Sequence, residues 1–201
     1  MCSDRKPTFD APILKNIGDY HVNVTTVSKY SQIFFNQGII MANGFNHAEA
    51  ERSFRESIRQ DSTFAMGYWG IAYVLGPNYN SAGQNMGVIN DIKNAVKKAV
   101  KFSVNATPWE RSVINSIQVK FPVDSIATNA EGYATSMKEA YSQFPENEFV
   151  ATLYAESIMN LHPWDFYVRK GGEARPWTPE IVSLLEKVIS MNPENPLANH
   201  L

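Results

Sequence analysis

The sequence predicts an all-α solenoid of antiparallel helix pairs with loops inserted inside the repeats. Three observations predict it. Apolar residues recur at helical spacing from about Ser28 almost to the end of the chain. An aromatic-x3-small-x2-large pattern at Phe34, Gly38 and Met41 returns one period later at Tyr68, Ala72 and Leu75. Stretches rich in Pro, Gly or Asn interrupt the helical pattern at corresponding places in successive units.

The totals fit this class. The chain has 201 residues, 44% hydrophobic and 19% charged, enough for one sizeable domain or a short solenoid and unlike a disordered chain. A net charge of −2 provides no strong field toward nucleic acid or anionic lipid. The densest basic run, Lys93, Lys97, Lys98 and Lys101, alternates with Ile92, Ala95, Val96, Ala99 and Val100, the pattern of an amphipathic helix with a solvated face. No apolar stretch reaches the roughly 18–20 residues of a membrane span.

Residues 1–28 hold Pro7, Pro12, Gly18 and a β-branched run from Val22 to Val27, and read as an extended arm. Residues 29–201 read as the repeat domain, about four units with a fifth incomplete. The spacing from Phe34 to Tyr68 is 34 residues, the period of the tetratricopeptide (TPR) repeat. The second helix of the first unit adds Ala50-x3-Phe54, then Asp61-Ser62 at the turn. Gly38, Ala50 and Ala72 let antiparallel helices approach, while Phe34, Phe54 and Tyr68 fill the space between them.

Later units are stretched. Turn markers fall at Ser62, Thr107, Pro145 and Pro193, so the extra residues enter between the first and second helix of each unit. The segments 76–83, 121–124 and 162–178 carry them. Pro108 and Thr178-Pro179 open helices, Pro145 closes one, and Asn192-Pro193 resets the register before a last helix from Leu197. A first helix without its partner predicts an apolar face left uncovered, through which two copies would self-associate.

The motifs Tyr20-His21-Val22-Asn23-Val24-Thr25, Phe35-Asn36-Gln37-Gly38, Gly44-Phe45-Asn46-His47-Ala48-Glu49-Ala50 and Tyr68-Trp69-Gly70-Ile71-Ala72 resemble a family of bacterial TPR-containing proteins. So do Gly76-Pro77-Asn78-x-Asn80, Leu153-Tyr154-Ala155-Glu156, Pro163-Trp164 and Pro196-Leu197-Ala198-Asn199-His200. The resemblance spans nearly the whole chain; His162 departs from it. It implies a longer chain, with a further His-containing helix beyond Leu201, and export. The start, Met1-Cys2-Ser3-Asp4, is similar to that of a lipoprotein acylated at its cysteine. The expected location is therefore the cell envelope, tethered at Cys2; the alternative is a cytoplasmic protein with an incidental cysteine.

No constellation carries catalysis. His21, His47, His162 and His200 lack metal spacing, and His47 to Glu51 lacks the second His of a zincin helix. No P-loop, nucleophile elbow or dinucleotide fingerprint occurs. No catalytic residue, metal site or cofactor is assigned. Two regions carry the binding expectation. Register places Asn43, Trp69, Tyr73, Glu156 and Asn160 on the concave face or its rim. The inserted loops place Asn78, Asn80 and Trp164 on one edge, with Tyr79, His162, Asp165 and Trp177 nearby. The predicted function is a scaffold binding a partner protein, peptide or small ligand through that face and edge. The alternative is a metal- or cofactor-dependent protein, an enzyme in some versions, completed by helices beyond Leu201.

Overall fold

The computed structural model describes residues 9–81 and 86–201. The lipid-anchor expectation at Cys2 lies outside the described residues, as do Ala82 and Gly83 of the second loop. Among the described residues the chain is all-helical: α1 (Lys29–Asn43), α2 (His47–Gln60), α3 (Ala65–Leu75), α4 (Ile89–Phe102), α5 (Pro108–Lys120), α6 (Ala130–Gln143), α7 (Glu148–Leu161), α8 (Thr178–Met191) and α9 (Pro196–His200). Two isolated bridges, Asn78 with Ser81 and Tyr167 with Ala174, shape loops. None of these helices is long and apolar enough to cross a membrane.

Helices α1, α2, α5, α6, α7 and α9 start where a side chain takes over an unpaired amide. Ser28, Asn46, Asn129, Asn147 and Asn195 accept from the backbone N–H three residues on. At α5 the Glu110 carboxylate reaches back to the Thr107 N–H at 2.7 Å and its hydroxyl at 2.6 Å.

Every helix packs on the next, and α1 on α3 and α3 on α5 besides, an arrangement consistent with an α-solenoid. Short turns at 61–64, 103–107, 144–147 and 192–195 join one pair to the next. The variable connections lie within the pairs, at 44–46, 76–88, 121–129 and 162–177. Close approach of α1, α2 and α3 depends on glycine. The fully buried Phe54 ring of α2 lies between Gly38 and Gly70, where an added Cβ would stand 2.6 Å and 2.5 Å from it. In α4, Ile92, Ala95, Val96 and Ala99 are buried while Lys97, Lys98 and Lys101 are exposed.

Residues 9–28 form neither helix nor strand, yet they are held along α1. Side-chain amides stand in for a partner strand: Gln37 accepts from Leu14 N–H at 2.8 Å, Asn36 from Val22 N–H at 3.3 Å, and Gln32 from Val24 N–H at 3.1 Å. Thr25 then donates twice to the buried Glu110, at 2.7 Å from both N–H and hydroxyl.

Two expectations change here. The last helix does not leave its apolar face uncovered: Leu197 and Ala198 of α9 are buried, because α9 reaches back to α1 as well as α8. Asn195 fixes that return by donating to Tyr20 and Thr152, each at 3.2 Å, and to Glu148. His200 Nδ1 lies 2.9 Å from the Asn43 carbonyl oxygen. The second change concerns the residues expected on a concave binding face: Asn43, Trp69 and Glu156 are buried within the protein.

Candidate functional site

Of the five residues expected on the concave face, Asn43, Trp69 and Glu156 are buried and Tyr73 and Asn160 half-buried. Trp69 is only 1% exposed, stacked on Tyr73 at 4.9 Å and set edge-on to Phe149 at 5.5 Å. Asn43 and Glu156 are buried as well. Asn43, Tyr73, Tyr20 and Asn195 border a cavity of about 10 Å³.

A second cavity, of about 20 Å³, gathers more chemistry. Its inner wall holds Tyr73, Lys120 and Glu156; its rim holds Phe45, His47, Pro77, Asn78 and Tyr79. The inner wall comes from α3, α5 and α7, the first helices of three successive units, so stacking of units is what brings these groups together. Lys120 is 2% and Glu156 4% exposed. Among the described residues no direct ion pair joins them. Lys120 Nζ donates to the Pro77 carbonyl at 3.2 Å and lies over the Tyr133 ring, 4.8 Å from its centre. Tyr73 donates to Glu156 Oε2 at 2.9 Å.

Burial dominates the ionisation of this group. It pushes the Glu156 carboxyl up, against the opposing pull of Lys120, Tyr73 and Asn160. It pushes the Lys120 ammonium down, against the field of Glu156. Tyr73 keeps a little exposed surface, but its surroundings are dense enough to hold its hydroxyl well above the ordinary phenol range, and Tyr133 is held up likewise. Several polar atoms nearby meet no partner within the protein: the Tyr133 hydroxyl, Trp69 Nε1 and both amide atoms of Asn160. Asn160 is close enough to steady the Glu156 charge without reaching hydrogen-bonding geometry.

Above the rim lies the loop edge. Asn78 Oδ1 accepts from the N–H groups of Asn80 and Ser81, at 2.9 and 3.0 Å, so it shapes the turn that carries Tyr79. Asn80 is exposed. The Tyr79 ring lies 5.8 Å from Phe45 and 6.1 Å from Trp164, so loops of three units meet around it. Phe45 and Trp164 both adopt left-handed backbone, at φ 57° and 60°, a conformation that disfavours large side chains. The α7–α8 loop is rigidly built. His162 stacks on Trp177 at 3.6 Å, Trp177 Nε1 donates to the Asp165 carbonyl at 2.7 Å, and Arg175 pairs with Asp165 at 2.8 Å. Trp177 therefore plugs the loop onto the helices, whereas Trp164 is 74% exposed.

Of the predicted site residues, Tyr73, Asn78 and Glu156 share the 20 Å³ cavity, and Asn160 and Trp69 stand behind it. Asn80 and Trp164 belong to the edge, and Asn43 to the neighbouring cavity. His47 stacks on Phe45 instead of meeting His162. Among the described residues no group of three or more His, Cys, Asp or Glu is arranged to hold a metal. Sequence reasoning missed Lys120 and Tyr133. The signal for Lys120 was its place on the buried stripe of Val113 and Ile117. No protein-family model matches the chain, and no curated protein was found similar to it.

Proposed function

We propose that this chain is a TPR-like α-solenoid scaffold that binds a partner protein or peptide along its loop edge, with Trp164 as the anchor. The observation that carries the reading is the state of that indole, 74% exposed on a left-handed backbone. Covering an exposed Trp removes on the order of 150 Å² from water, worth about 4 kcal/mol before the costs of association. The stacked and paired frame of His162, Asp165, Arg175 and Trp177 holds the loop in advance, so little ordering is left to binding. Tyr167, Arg169, Lys170 and Glu173 are exposed on the same loop, and the excess of positive charge among them favours an acidic segment bearing an apolar side chain. The 34-residue period and the consecutive helix packing support the TPR-like part. The role is binding, not catalysis, at the cell envelope through a lipid on Cys2. Fatty-acid labelling in cells that persists in a Cys2→Ser variant would remove the anchor from this reading.

Peptides selected from a display library against the protein provide the test. Trp164→Ala is expected to weaken them by at least about tenfold, a typical anchor loss, with far-UV circular dichroism unchanged. Selected peptides that bind the variant as well as the parent would overturn the reading.

A further inference from the structure

The cavity between Lys120 and Glu156 shares Asn78 and Tyr79 with the loop edge but is not lined by Trp164, and its chemistry is narrower. We propose that it is a binding site for a hydroxyl group of a small polyol or sugar, entering past Tyr79. Three features point there. First, size: the whole cavity, about 20 Å³, just exceeds the roughly 10–15 Å³ that one water needs, so it admits a single heavy-atom head group while the carbon skeleton stays at the mouth. Second, charge: the inner wall sets an ammonium and a carboxyl on one cavity without a direct ion pair between them. The occupant must accept from Lys120 Nζ and suit Glu156. A carboxylate or phosphate is too large for a cavity that holds one heavy atom. An ammonium has no lone pair with which to accept from Lys120. A hydroxyl does both jobs with one oxygen, accepting from the lysine and donating to a carboxyl oxygen of Glu156.

The third feature is the rim. Phe45 and Tyr79 offer aromatic surface for the C–H groups of a carbon skeleton, while Asn78 and His47 offer polar atoms for its next hydroxyls. Phe45 holds a strained left-handed backbone at this rim (φ 57°), as residues at binding sites often do.

The test is saturation-transfer NMR titration with glycerol, erythritol and a hexose, alongside acetate and methylammonium. Saturable binding by at least one hydroxyl compound, and none by the two ions, is expected. The variant Lys120→Met with Glu156→Leu preserves side-chain volume, and it is expected to lose about tenfold or more of the affinity, the scale of one hydrogen bond to a charged group. Trp164→Ala is expected to keep it, so failure here and failure of the edge reading are separable. Should the double variant not fold, a crystal soaked in the best polyol decides: density for its hydroxyl between Lys120 and Glu156 supports the site. A water there undisturbed by the soak, no saturable polyol binding, or equal binding by the double variant each overturns it.

Discussion

Replacing Lys120 and Glu156 singly and together tests whether this buried pair acts as one unit. The side chains are 2% and 4% exposed, so each charge is out of water. A charge left alone there has a ceiling on its cost, because it can neutralise. At pH 7 a glutamate of ordinary pKa takes up a proton for about 4 kcal/mol, and a lysine loses one for about 5 kcal/mol. Lys120→Met, which strands Glu156, is thus expected to cost up to about 4 kcal/mol. Glu156→Leu, which strands Lys120, is expected to cost up to about 5 kcal/mol. It also deprives the Tyr73 hydroxyl of its acceptor. The double variant strands neither charge. It is expected to be more stable than the weaker single variant by about 2 kcal/mol or more, since an apolar pair of similar volume replaces buried ions with little loss. Urea unfolding at pH 7, followed by far-UV circular dichroism, measures all four proteins. Costs that simply add in the double variant would refute the coupling and the reading of the cavity as one electrostatic unit.

Three further perturbations probe the frame around the site. Gly70→Ala drives a Cβ to 2.5 Å from Phe54, which cannot retreat because Gly38 closes the other side, so a loss of about 1–3 kcal/mol is expected in urea unfolding. Asp61 governs part of the acid limb. Burial works to raise its pKa, but hydrogen bonds from Thr26, Thr63 and Val27 outweigh that and hold it low. A folded pKa below the unfolded value gives stability that is present above about pH 4 and is lost as pH falls through the folded value. Asp61→Asn is therefore expected to flatten the stability profile below about pH 4, and an unchanged slope would remove Asp61 from it. Glu110→Gln weakens the two bonds from Thr25, so hydrogen exchange at the amides of residues 22–27 is expected to accelerate, with α2 and α3 unaffected.

How much was legible follows from the range of each interaction. Helix starts at Ser28, Asn46 and Thr107 depend on groups three residues apart, and sequence shows those directly. The placement of long connections inside the pairs was legible too, because Pro, Gly and Asn act locally. Tyr73 and Glu156 could be selected from repeat register, which assigns first-helix positions to a shared face, and Asn78 from its place in an inserted loop. Lys120 could not be selected in the same way. Its charge suggested solvent even though it continues the stripe of Val113 and Ile117, and the neighbouring units decide that Pro77, Tyr133 and Glu156 enclose it. The burial of Asn43, Trp69 and Glu156 was illegible for a related reason. Contacts such as that of Asn195 with Tyr20 span 175 positions, and no local pattern specifies how closely distant units pack.

Trp164 and Trp177 show the division most clearly. In sequence they are two aromatics on one Pro- and Gly-rich loop, equally suited to plug or to anchor. Their backbones and partners separate them: Trp177 finds His162 and the Asp165 carbonyl, while Trp164 is turned outward at φ 60°. The sequence by itself determined an all-helical chain, its pairings and the side on which loops collect, since hydrophobic period and turn chemistry are local properties. The tertiary structure alone decided which polar groups are buried together and which aromatic remains exposed, because burial is a property of everything packed around a residue.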